Sequence, residues 1–173
     1  MRMPISRGSA MPAPPERPDP LPSHAERRWL PYAPEQLYDL VADIERYPEF
    51  LPWCAGARIR SRDGNLVTAD LVIGFKLYRE RFTSRVAFDR PRAIHVQYTE
   101  GPFRSMQNEW RFEPGEQGGC VIDFQVAFEV RSKLLGSMVE LVFQEAVRRM
   151  VGAFEARARK LYGAIAENQV PVA

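Results

Sequence analysis

The chain of 173 residues is 45% hydrophobic and 27% charged, and about 145 residues remain once a proline-rich leading stretch is set aside, enough for one hydrophobic core. Its two cysteines, Cys54 and Cys120, are too few for a disulfide scaffold and lack the spacing of a structural zinc site, which fits a reducing compartment. A net charge of +2 and a pI near 8.7 permit contact with anionic lipid or RNA without requiring it, and no apolar run approaches the roughly 18 residues that cross a bilayer.

Residues 1–23 carry Pro4, Pro12, Pro14, Pro15, Pro18, Pro20 and Pro22, so backbone donors are missing and a disordered tail is expected. Glu16, Asp19 and the lack of an amphipathic period argue against a mitochondrial presequence there. The stretch from His24 to Tyr32 is compatible with a first strand. Pro34 then stands at the first turn of a helix, with Leu37, Leu40, Val41 and Ile44 at helical spacing. Pro48 and Pro52 break that pattern, and YPEFLPWC reads as a second short helical turn running into a loop.

The period then changes to two. Ala57, Ile59 and Ser61 alternate with Arg58, Arg60 and Arg62, and Asp63-Gly64-Asn65 turns the chain into LVTADLVIGF. Phe82, Ser84, Val86 and Phe88 share one face of the next strand. Ile94, Val96 and Tyr98 follow after a turn at Pro91, and Met106, Asn108, Trp110 and Phe112 alternate with charged or polar neighbours. Gly115 to Gly119 form another turn, leading to Ile122, Phe124, Val126, Phe128 and Val130 on one face. This antiparallel meander leaves an apolar face to be covered. From about Lys133 to Ala166 proline is absent, and Leu135, Met138, Val142, Ala146, Met150, Phe154, Ala158, Leu161 and Ile165 trace a helical stripe long enough to cover it, about 50 Å. One folded domain is therefore expected over 24–166, with a short disordered tail at 167–173.

The order of one strand, two short helices, six strands and a long helix, with YPEFLPWC, LVIGFKLYRERFTSRV, the GPF turn before MQNEWRF and the closing MVGAFEARARKLYG, resembles the START-like coenzyme-Q-binding family within the polyketide-cyclase and lipid-transfer superfamily. The resemblance implies an α+β helix-grip fold, with a seven-stranded curved antiparallel sheet wrapped around the C-terminal helix and a deep apolar cavity between them. It also implies binding of ubiquinone or another prenyl lipid, in support of respiration or quinone biosynthesis. A bacterial branch of similar sequence is described as acting on the large ribosomal subunit, and the wider superfamily contains cyclases and aromatases.

The inward registers carry few polar groups: Ser84, Asn108 and Tyr98, with no inward His, Asp or Glu expected on the six meander strands. His95 alternates outward, His24 borders the tail, and neither Cys54 nor Cys120 has a positioned His, so the residues describe a binding cavity without catalytic residues, metal or catalytic cofactor. The candidate ligand-binding residues are Leu71, Ile73, Phe75, Phe82, Ser84, Val86, Tyr98, Met106, Asn108, Trp110, Leu135, Met138 and Val142. Ser84, Asn108 and Tyr98 are the hydrogen-bonding candidates for quinone oxygens. Leu77, Tyr78, Pro102 and Phe103, with the apolar start of the last helix, are expected to form a membrane-facing entrance. These readings imply a cytoplasmic protein peripherally bound to the inner membrane, or its mitochondrial equivalent on the matrix side. Arg58, Arg60, Arg62, Arg79, Arg81 and Arg85 project to the other face of the sheet, where anionic lipid or ribosomal RNA would bind in the alternative reading.

Overall fold

A computed structural model describes residues 23–75, 78–131 and 133–163. Its strands are β1 (Ser23–Leu30), β2 (Cys54–Asp63), β3 (Leu66–Phe75), β4 (Tyr78–Asp89), β5 (Ala93–Glu100), β6 (Phe103–Pro114) and β7 (Cys120–Val130). The helices are α1 (Pro34–Ala42), a 3-10 helix over Ile44–Glu49, and α2 (Lys133–Tyr162). All seven strands form one antiparallel sheet in the order β1-β7-β6-β5-β4-β3-β2, so the first strand pairs with the last and the rest follow as hairpins. This is the expected seven-stranded helix-grip architecture. β1 begins at Ser23, the last residue of the expected leading tail; residues 1–22 and the trailing tail lie outside the described residues.

Turn chemistry accounts for the tight connections. Gly64 adopts φ +57 in the two-residue turn joining β2 to β3, the conformation a side chain resists and glycine accepts. Pro34 opens α1, where its missing N–H is not needed, and the backbone N–H of Ala33 is taken up by Gln36 Oε1 at 2.9 Å. Gly101, at φ +139, joins β5 to β6 so tightly that a Cβ would lie 2.8 Å from the Cβ of Phe82 and 2.9 Å from the Arg81 carbonyl oxygen.

Alternation within each strand divides the sheet into an inner face and an outer face. Successive inner rungs are Ser84–Tyr98, Val86–Val96–Asn108–Val126–His24, and Phe88–Ile94–Trp110–Phe124–Glu26. The expected alternation of β2 fails at its end. A bulge between Ile59 and Ser61 places Ser61 opposite Thr68 on the outer side and Arg62 opposite Val67; the inserted residue reverses the side on which each later side chain falls.

The second half of α2 covers one end of the inner face. Val147, Phe154 and Ala158 are buried there with Leu37, Leu40, Val41 and Ile44 from the short helices, and Met150 and Val151 pack beside them. The expected helical stripe needs one correction, because Leu161 is 50% exposed. Tyr162 turns inward in its place, and its hydroxyl donates to the carbonyl of Gln36 at 2.9 Å.

Candidate functional site

The two ends of the inner face differ. At the end under α1 and the second half of α2, aromatic rings fill the space: Trp110 lies 4.3 Å from Phe124 and 5.2 Å from Phe154 between ring centroids, and Phe154 meets Tyr47 and Phe50 edge-on. Such rings gain from offset and edge contacts beyond simple burial. Trp110, expected as a ligand contact, therefore belongs to the packed core, as a wall closing the site from below.

At the other end the inner face presents Phe82, Ser84, Val86, Val96, Tyr98, Met106, Asn108, Val126 and Phe128. Phe82, Ser84 and Val86 are buried, Tyr98, Met106 and Asn108 are half-buried, and Leu71 and Ile73 continue the apolar wall on β3. Eight of the expected contacts on β4, β5, β6 and the middle of β3 are thus brought to one surface, together with Val96, Val126 and Phe128. Those three share the predicted inward register, and that register alone was signal enough to include them. Leu77 lies outside the described residues, as do the side chains of Phe75, Tyr78, Leu135, Met138 and Val142.

Two polar atoms distinguish this surface. Ser84 Oγ and Asn108 Oδ1 are buried without a hydrogen-bond partner. An unsatisfied buried polar atom costs about 1–3 kcal/mol and calls for an explanation. Strand spacing and rise put the two residues roughly 12 Å apart across β4, β5 and β6. The third such atom, Tyr38 Oη, sits in the packed end between Phe88 and Phe112 and does not face this surface; burial pushes its ionisation upward.

Tyr98 is used differently from expectation. Its hydroxyl donates to the Phe103 carbonyl at 2.9 Å and accepts from the Phe103 N–H at 3.1 Å, which pins the turn containing Gly101 and Pro102. Phe103 in turn packs against Phe82, Tyr98 and Phe128 at 5.7–6.1 Å. The ring proposed to face lipid is therefore half-buried in the wall of the site, while Pro102 remains at the turn beside it.

Inward carboxylates are present, which corrects the sequence expectation. Glu80 takes the inner register near the start of β4, opposite Ile73. On β1, His24, Glu26 and Arg28 also point inward; His24 lies 3.2 Å from Glu26, and Arg28 bridges Glu26 to Glu155 of α2. Glu26, Arg28 and Glu155 rim a cavity of about 30 Å³ against Leu30, Leu37, Trp110 and Phe154, which has room for a water but not for an organic substrate. His95 is exposed on the outer face beside Glu109. Burial pushes the Cys54 thiol up and raises that of Cys120 to about 11, the latter having no solvent exposure, so both are poor nucleophiles at neutral pH. Among the described residues no cluster of three His, Cys, Asp or Glu side chains is placed to hold a metal, and no helix is long and apolar enough to cross a membrane.

Comparison with known proteins agrees with this geometry. The profile of the polyketide cyclase / dehydrase and lipid transport family matches residues 30–155. Coenzyme Q-binding protein COQ10 homolog B, mitochondrial, from Xenopus laevis is 34% identical over 87% of this chain, which spans 62% of the frog protein's length. Ribosome association toxin RatA of Escherichia coli K12 is also 34% identical, over 83% of this chain and 91% of its own. The solution structure of an 18 kDa protein from Caulobacter crescentus superposes with a TM-score of 0.68 at 37% identity, covering 82% of this chain and 99% of that one. The Zhui aromatase/cyclase from a Streptomyces species superposes at 0.72 with 17% identity, over 80% of this chain and 94% of its own, which shows the shared fold alone.

Proposed function

Because the chain belongs to the polyketide cyclase / dehydrase and lipid transport family, we propose that it is a binding protein and not an enzyme, holding ubiquinone or a prenylated precursor against the inner face of the sheet. It acts as a lipid-quinone chaperone for respiration or quinone biosynthesis, on the cytoplasmic or matrix side of the inner membrane. The observation that carries this reading is the pair of unpartnered atoms, Ser84 Oγ and Asn108 Oδ1, set among apolar and aromatic side chains. A ring with two oxygens para to one another, plus one hydrogen bond at each, covers the span between them.

The chemistry of the pair also fits both redox forms. A serine hydroxyl donates or accepts. The Asn108 amide accepts through Oδ1 from a hydroxyl of the reduced ring, or donates through Nδ2 to a carbonyl of the oxidised ring after rotation. The isoprenoid tail was already in hydrocarbon before leaving the bilayer, so its burial selects weakly and the polar end decides. Ring selection by these bonds is worth about 1–3 kcal/mol each. The turn of Gly101 and Pro102, held by Tyr98, forms the membrane-side mouth.

The reading is tested by calorimetric titration with a short-tailed ubiquinone in detergent below its critical micelle concentration. Saturable binding near one per chain, weakened in Asn108→Leu, supports it, and no heat beyond dilution refutes it.

A second reading is favoured by the five arginines that β2 and β4 carry on the outer face, Arg58, Arg60, Arg79, Arg81 and Arg85, and by the kinship with ribosome association toxins: the chain contacts the large ribosomal subunit. Co-sedimentation with large subunits in low salt, lost in high salt, is its expected mark.

A further inference from the structure

The outer face of the sheet is built unlike the inner one, and its charge is divided. Over β2, β3 and β4 it carries Arg58, Arg60, Arg79, Arg81 and Arg85 around one carboxylate, Asp70. That carboxylate is 3% exposed although it points away from the core. It accepts from Thr83 at 2.7 Å and from Arg58 at 3.1 Å, and Arg60 approaches to 3.7 Å. Burial pushes the Asp70 carboxyl up, but Thr83, Arg58, Arg60 and Arg81 together outweigh it and hold the group ionised below the usual range. A fixed anion beneath them orients Arg58 and Arg60 while their remaining N–H donors face solvent, the arrangement that suits phosphate oxygens. Arg79, Arg81 and Arg85 are exposed.

Next to this basic half the face changes to amides. Arg85 stands opposite Gln97, and Gln97 opposite Gln107. A trough of about 490 Å³ crosses β5, β6, β7 and β1 here. Its floor is the backbone of the rung Val96–Asn108–Val126–His24, and its walls include Gln97, Gln107 and Gln125, which the register places on the outer side. Glu109 and Asp123 make that end unfavourable for phosphate. Among the described residues of these rungs there is no phenyl, phenol or indole ring to stack an unpaired base, the one aromatic ring being the imidazole of His95 beside Glu109, and Val72 is the largest apolar residue among the arginines, too little to anchor in lipid.

We infer that this outer face binds the backbone of double-helical RNA, with phosphates over the arginines of β2 and β4 and ribose hydroxyls over the glutamine trough. The inference deepens the ribosomal reading by naming the ligand class and the surface, and it does not depend on what the inner face holds.

The test is fluorescence anisotropy with a labelled 20-base-pair RNA duplex, its DNA counterpart, and sedimentation with vesicles containing anionic phospholipid. Binding to RNA should exceed binding to DNA. Combined Arg79→Ala, Arg81→Ala and Arg85→Ala should weaken it at least tenfold and flatten the log–log salt slope by about 3, at roughly 0.9 per phosphate contact. Gln97→Ala with Gln107→Ala should narrow the RNA–DNA difference, whereas Arg149→Ala on α2, ion-paired with Glu145, should change nothing. Unchanged binding in the triple arginine variant, equal affinity for both duplexes, or binding to vesicles alone overturns the inference. Co-sedimentation of the triple variant with large ribosomal subunits at wild-type strength would sink this surface while leaving the ribosomal reading standing. Duplex binding without ribosome association would do the reverse.

Discussion

Replacing Ser84 with alanine should stabilise the ligand-free protein and weaken its hold on ligand, two effects of opposite sign from one oxygen atom. The side chain is 2% exposed and its Oγ has no partner, so the folded state carries a desolvated hydroxyl that the unfolded chain gives to water. Removing it relieves about 1–3 kcal/mol. The small void left behind takes back part of this, so about 1 kcal/mol of net stabilisation is expected. For a domain of this size that raises Tm by about 2–4 °C in differential scanning calorimetry of delipidated protein. The same substitution removes a hydrogen bond to the ligand ring, and about 1–3 kcal/mol there corresponds to a 5- to 150-fold weaker Kd in quinone titration. A Tm lowered by several degrees would mean that the hydroxyl holds the fold together. An unchanged Kd would mean that it does not face the ligand; either result refutes the reasoning.

Tyr98→Phe removes both bonds to Phe103, and faster amide exchange at Phe103, with about 1–3 kcal/mol lost in urea denaturation, is expected. Asp70→Asn should cost about 2 kcal/mol at pH 7. Because the native carboxyl titrates below its unfolded value, the stabilisation is present above about pH 4 and fades as pH falls through the native pKa, so the gap between wild type and variant should narrow steadily on acidification below about pH 4. Phe154→Ala removes the ring that joins Trp110, Tyr47 and Phe50, with an expected loss of about 3–5 kcal/mol by chemical denaturation. Cys120 should resist thiol reagents at pH 8 in the native state and react at once in denaturant.

The meander was legible because period-two alternation and glycine turns are local signals, and the register that put Ser84, Tyr98 and Asn108 inward followed from counting along each strand. Counting failed where a residue was inserted: the bulge after Ile59 reversed Ser61 and Arg62, and nothing in RIRSRD announces a bulge. Partnership was harder to read than direction. Tyr98 and Ser84 face each other across β4 and β5, yet one hydroxyl is spent on a turn and the other on nothing, a difference set by the close approach of Phe103. Asp70 shows the same limit from the outer side. It sits on the outer register, where a carboxylate is ordinarily solvated, but arginines cover it, and that burial depends on cross-strand neighbours that alternation along one strand does not reveal. The division of the inner face into a packed end and a ligand end also lay beyond periodicity, since filling and lining a space use the same aromatic residues.

The most direct test of the binding role is organic extraction and mass spectrometry of the protein purified from quinone-producing cells. Ubiquinone or a prenylated precursor at a substantial fraction of one per chain, reduced when Ser84→Ala and Asn108→Leu are combined, is the predicted result. Protein that carries no prenyl lipid when purified without detergent, and takes up none from quinone-loaded vesicles, would contradict it.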